Sequence, residues 1–211
     1  MYYYLNITNQ IRSIMKKFNG KELTHQSDPA SLCDFRDGEL YKKLLDSEDI
    51  KSQRAFTLLM NSDGISIGDG TKMTAWPLYL NITELPIESR FTVDNTILAG
   101  ISVANEKPNI DSFLNPIVMQ LKKLEYGIDL AIDGLNLKRK FFAIAGVFKP
   151  AKAAFLNIKS SNGFFGCHVC EQPGETFKGK KNSNGDEESD SQKGRRHIYK
   201  FSINNNLLYY F

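Results

Sequence analysis

The chain has 211 residues, 41% of them hydrophobic, and a net charge of +3 at pH 7. That length and composition suit one to one and a half domains with an ordinary globular core. There is no apolar run of about 18 residues or more, and the opening MYYYLNIT is aromatic and polar rather than a charged-then-apolar leader, so the expectation is a chain that neither spans a membrane nor is exported.

Three cysteines, two of them in one knuckle, do not make a disulfide framework, and this favours a reducing compartment with Cys33 as an ordinary thiol. From the start, Ile7, Ile11, Ile14, Met15 and Phe18 recur at helical spacing over residues 5–19, with Asn6 or Thr8 available as the cap. Residues 20–36 are polar and read as a loop in which His25 is solvent-exposed. A short helix through Leu40, Tyr41, Leu44 and Leu45 follows. Phe56, Leu58, Leu59 and Met60 then form a strand that ends at Asn61-Ser62-Asp63-Gly64, which puts Asp63 where a strand meets a turn. TAWPLYLNI (74–82) reads as a second strand, in which Pro77 suggests an edge or a bulge, and TILAGISV (96–103) as a third.

Beyond Pro108, apolar residues from Ile110 to Leu124 repeat at the helical period as far as Tyr126-Gly127. Asp129 to Leu137 form a strand end and hairpin around Asp133-Gly134. Phe141, Phe142, Ile144, Val147 and Phe148 make a near-continuous apolar run that suits a central strand covered on both faces. Pro150 then opens a short helix rich in alanine. Cys167 and Cys170 follow at metal-knuckle spacing, with His197 as a third ligand across a polar insertion. A pair of free thiols in a turn is the plainer reading of that knuckle, since structural zinc needs four ligands. The insertion, 176–193, has no apolar residue except Phe177 and reads as disordered.

Charge divides the chain. Residues 1–136 hold 14 Lys/Arg against 18 Asp/Glu, whereas 137–211 hold 13 against 6. A basic half of this kind is what a nucleic-acid-facing surface looks like in sequence, with Lys138, Arg139, Lys140, Lys152, Lys159, Arg195 and Arg196 as phosphate contacts; a solvated surface with a basic tail would look the same.

The blocks NSDGISI, AWPLYLNITELP, RFTVDNTILAGISV, KPAKAAFLNIKSSNGFFGCHVCEQPGE and RRHIYKF, in that order, resemble the catalytic core of CACTA-type DNA transposases, and the resemblance runs from about Ile11 to Phe201. It implies an α/β ribonuclease-H-like mixed sheet, here incomplete, with a helical lead-in over 1–50, a partial core over 51–160, and a knuckle, insertion and truncated tail over 161–211. It also implies a nuclear protein acting on transposon-end DNA, open to homo-oligomerisation, that cuts and joins strands with two magnesium or manganese ions and carries zinc at the knuckle. Such chemistry needs carboxylates on adjacent strands so that two cations sit ~3.5–4 Å apart across the scissile phosphate.

Asp63 matches the family's leading aspartate. The next should stand two residues before the Pro-Ala pair, and that position is Phe148; a further acidic residue is expected downstream of the knuckle, where this chain reaches Phe211 first. A phenyl ring cannot coordinate a metal, so the expectation is a catalytically inactive, transposase-derived chain. A non-catalytic DNA-binding module and a non-functional mobile-element remnant are the alternatives.

Overall fold

Ile7, Ile11, Ile14 and Met15 line one side of helix α1 (Ile7–Met15), and all four are buried. Asn6 starts this helix by accepting a hydrogen bond from the Asn9 backbone N–H at 2.9 Å, satisfying a donor that a helix start leaves unpaired. The computed structural model describes residues 1–18, 23, 33–46, 55–68, 72–132, 134–145 and 209–210. These belong to one compact unit, Met1–Gly146 with Leu207–Phe211.

In chain order the remaining elements are strand β1 (Tyr2–Tyr4, ahead of α1), helix α2 (Glu39–Leu45), β2 (Phe56–Ser62), β3 (Ile65–Ser66), β4 (Thr74–Ile82), the single-turn α3 (Ile87–Arg90), β5 (Thr96–Ala104), α4 (Ile110–Glu125), β6 (Ile128–Ile132), β7 (Leu135–Arg139), β8 (Phe141–Ala145) and β9 (Tyr209–Tyr210). The class is mixed α/β. The main sheet runs β1-β5-β4-β2-β8-β9, with β3 also paired to β4, and β6 and β7 form a separate ribbon. It is a mixed sheet: β2, β4 and β5 are antiparallel neighbours, whereas β2 and β8 run parallel with Leu58 opposite Ala143 and Met60 opposite Ala145. A parallel neighbour needs a crossover, and α4 lies on that connection from β5 to β8.

Alternation along the strands assigns the two faces. Leu58, Met60, Leu78, Leu80, Ile82 and Ile97 are buried on the face that α1 and α4 cover. There Ile117 of α4 reaches Gly100, and Phe113 packs with the rings of Tyr2 and Tyr4. The other face carries Thr57, Leu59, Phe142 and Ile144, and Tyr41 of α2 packs against the last three. Each fully buried aliphatic or aromatic side chain contributes roughly 1.5–3 kcal/mol of transfer free energy, most of it offset by chain entropy.

Two glutamines fasten the start of the chain to this framework. Gln120 accepts from the Ile7 N–H at 3.0 Å and donates to the Leu5 carbonyl at 3.1 Å. Gln10 accepts from the Leu98 N–H and donates to the Leu98 carbonyl, each at 3.0 Å, so it continues the edge pairing of β5 beyond the end of β1.

The strands read from the sequence at 56–60, 74–82 and 96–103 are present in one sheet, and the long helix spans Ile110–Glu125. The hairpin around Gly134 is present as β6 and β7, and Gly134 takes the positive φ of +75° that such a turn requires. Of the edge or bulge expected at Pro77, the structure fits the bulge. Its strand is interior, between β2 and β5, but Pro77 sits in the gap between the Ser62–Leu78 pair and the Ile65–Ala75 pair, next to a register shift at Leu78/Tyr79. An interrupted ladder tolerates a residue without an N–H. Strand β1 is an element that the sequence reading did not assign. Of the expected central strand, Phe141–Ala145 is described, and Val147 and Phe148 lie outside the described residues.

Candidate functional site

Asp63 follows the last residue of β2 and is exposed. Its Oδ1 accepts from the Gly64 N–H at 2.8 Å, which fixes one carboxylate oxygen on its own turn and leaves the other available. Two residues earlier, Asn61 shares the Asp63 side of β2 if the pleat is followed to the strand end, and its Oδ1 is buried with no hydrogen-bond partner. Beneath the turn lies Trp76. An added Cβ on Gly64 would stand 2.8 Å from the indole carbons, so the turn can rest on this ring only because residue 64 is glycine.

Two further carboxylates are held in buried polar networks at the other end of β2, and the sequence reading missed both. Glu84 follows β4. Its carboxylate accepts from the Thr57 N–H at 2.9 and 3.1 Å, the Thr57 hydroxyl at 2.8 Å and the Tyr41 hydroxyl at 2.9 Å, and the Thr57 and Thr83 hydroxyls are in close contact beside it. Burial pushes the Glu84 carboxyl up from its ordinary range, against the pull of these donors. Burial, with the charge of Glu84 close by, also pushes the Tyr41 phenol up.

Asp34 is the second. It receives Arg90 through two nitrogens, at 3.0 and 2.6 Å, and Arg36 through Nε at 2.9 Å. Burial alone would raise its carboxyl, but the hydrogen bonds and charges of Arg90 and Arg36 outweigh that and hold it well below the usual carboxylate range. Arg36 also donates to the Glu84 carbonyl at 3.2 Å, which joins the two networks.

These networks bind the 33–46 segment to the sheet and are not part of an Asp63 centre. Thr57 and Asp63 are six residues apart along an extended strand, roughly 20 Å at ~3.3 Å per residue, whereas a shared pair of cations needs ligands within a few ångströms. Among the described residues no group of three or more His, Cys, Asp or Glu could hold a metal ion. At the Asp63 end the structure describes one exposed carboxylate and the Asn61 side-chain amide.

The cationic residues read from the sequence divide likewise. Lys138 is exposed on β7; Arg139 is half-buried and donates to the Lys138 carbonyl at 3.2 Å; half-buried Lys140 leads into β8. Lys152, Lys159, Arg195 and Arg196, the knuckle residues Cys167, Cys170 and His197, and His25 lie outside the described residues. No helix among the described residues is long and apolar enough to cross a membrane.

The pattern of a family described as "Protein of unknown function (DUF1258)" matches residues 9–206, nearly the whole chain. The chain belongs to the DUF1258 family. Comparison of this DUF1258 chain with curated proteins gives no match. The matched span takes in all but the first two residues of α1, every strand from β2 to β8, and Asp63.

Proposed function

We propose that this DUF1258 chain is a transposase-derived DNA-binding core with a ribonuclease-H-like sheet that does not cut DNA. The observation that carries the reading is the setting of β2. It lies between antiparallel β4 and parallel β8, beside the meander β2-β4-β5 and the α4 crossover, and Asp63 follows its end directly. This arrangement fits the plan and the aspartate position that the CACTA resemblance implies.

The loss of cutting rests on donors. Phe148 stands where the resemblance expects the second aspartate, and a phenyl ring cannot hold a cation. The DNA-binding part rests on the basic excess of residues 137–211.

The test has two arms on the purified full chain. A labelled duplex of arbitrary sequence is expected to bind at low salt, with affinity falling steeply as salt is added. The same duplex and a transposon-end duplex are expected to stay intact with magnesium or manganese. Nicking that disappears in Asp63→Ala would overturn the inactive reading, and absence of binding at low salt would overturn the DNA-binding one.

A further inference from the structure

The sequence places its basic excess after residue 136, yet the fold brings cations from the acidic part of the chain to the same corner as the first of them. Arg12, in the last turn of α1, donates through Nε to the Asp129 carbonyl on β6 at 3.3 Å. Lys122 and Lys123 are in the last turn of α4. The side chain of Lys138 lies over Gly127, immediately beyond that helix. Burial pushes the Glu125 carboxyl up from its ordinary range, against the charges of Lys122 and Lys140, which both lie within electrostatic reach of it. Arg12, Lys122, Lys123 and Lys138 are exposed, and Lys140 is half-buried.

Among the described residues the carboxylates of this corner are Glu125, half-buried, and Asp129, exposed and opposite Lys138 in the β6-β7 ribbon. The cations outnumber them. Two cations near the ends of helices have a purely structural use, since they complement the helix dipole. That use explains Lys122 and Lys123 on their own helix, but not why Arg12, Lys138 and Lys140 converge on the same place from two other segments. Tyr126, at 77% exposure, presents an aromatic ring among them.

We infer that the C-terminal ends of α1 and α4 and the β6-β7 ribbon form one composite surface for the phosphate backbone of duplex DNA, built by Arg12, Lys122, Lys123, Lys138 and Lys140. This rests on the DNA-binding reading above and deepens it by assigning contacts to residues that the charge division of the sequence puts in the acidic half. A surface made of point charges from several segments follows a backbone without reading bases, so its affinity is independent of sequence and strongly salt-dependent.

The experiment compares the full chain with Arg12→Ala/Lys122→Ala/Lys123→Ala and with Lys42→Ala/Lys43→Ala, which removes two exposed cations from α2 on the opposite face of the sheet. The probe is a fluorescent duplex of arbitrary sequence, titrated from about 50 to 200 mM salt, with a duplex RNA of equal length as competitor; thermal unfolding checks each variant's fold. The triple variant is expected to bind about tenfold or more weakly at low salt and to lose roughly two to three from the magnitude of the logarithmic salt slope, about one per phosphate contact removed. The α2 variant should match the parent. Equal losses in both variants, or a folded triple variant with unchanged affinity and slope, would overturn this surface while leaving DNA binding standing. Preferential capture by the RNA would overturn the assignment to DNA, and absence of binding by the parent would remove both the surface and the reading under it.

Discussion

The Asp34 carboxylate grips the Arg90 guanidinium through two hydrogen bonds, 3.0 Å from Nη1 and 2.6 Å from Nη2, between residues 56 apart in sequence. Arg90 is 1% exposed and also donates to the Leu85 carbonyl, so the pair fixes the loop after β4 to the segment before α2. Removing one partner leaves the other guanidinium charge in a poorly solvated place, and Arg36 loses the same counter-charge. Asp34→Ala is therefore expected to cost about 3–5 kcal/mol in urea unfolding. A loss below about 1 kcal/mol would show that the pair is as weak as a surface ion pair.

The same two networks predict opposite responses to acid. The folded Asp34 carboxyl sits below its unfolded value of about 3.9, so its stabilisation is full above that value and is lost as the pH falls toward the depressed folded one. Glu84 is shifted up from its unfolded value of about 4.3; its contribution is greatest below that value and declines as the pH rises through the raised folded one. Glu84 thus offsets part of the acid loss. In Glu84→Gln, whose amide nitrogen cannot accept from Thr57 or Tyr41, stability at pH 7 should fall by about 1–3 kcal/mol. The urea midpoint should then drop more steeply than the parent's between about pH 6 and 4. Parallel profiles for parent and variant would mean that Glu84 titrates at its unfolded value.

Trp76 is the chain's one tryptophan, and its ring supports the Asp63-Gly64 turn. In Gly64→Ala the added Cβ would press on the indole at 2.8 Å, tighter than real contacts, so the turn or the ring must move. The expected result is a shift of the emission maximum and about 1–3 kcal/mol of destabilisation from overpacking. Unchanged emission together with unchanged stability would show that the turn lifts away without cost.

What could be read from the sequence depended on whether the signal was local. The bounds of β4 came out as Thr74–Ile82 because an apolar run rich in strand formers ends in a turn, and Asn6 could be named among the caps of α1 because capping is decided within three residues. Asp63 could be placed at a strand end for the same reason, since Asp-Gly after an apolar run marks a turn.

Asp34 and Glu84 were illegible for a different reason. Each sits in a polar stretch that looks like an ordinary loop, and each becomes buried only through Arg90 or Tyr41, from distant parts of the chain. Tyr2–Tyr4 gave no alternation over three residues and is a strand only because β5 offers it an edge. The corner formed by Arg12, Lys122 and Lys138 was hidden by counting charge along the chain, since the fold mixes what sequence order separates.

Tyr4 and Pro116 supply the last prediction. Pro116 is inside α4 and has no N–H, so the Ser112 carbonyl four residues earlier loses its regular helical donor. The Tyr4 hydroxyl donates to that same Ser112 carbonyl at 3.2 Å, which makes the first strand a substitute for the missing helix bond. Tyr4→Phe alone should cost about 1 kcal/mol by leaving the carbonyl without this donor. Pro116→Ala supplies an N–H from within the helix, so the tyrosine bond becomes partly redundant, and Tyr4→Phe in that background should cost only a few tenths of a kcal/mol. The double-mutant cycle in urea should therefore show a coupling of roughly 0.5–1 kcal/mol. Strict additivity would mean that water already serves Ser112, and that Tyr4 holds β1 to α4 by the packing of its ring on Phe113 alone.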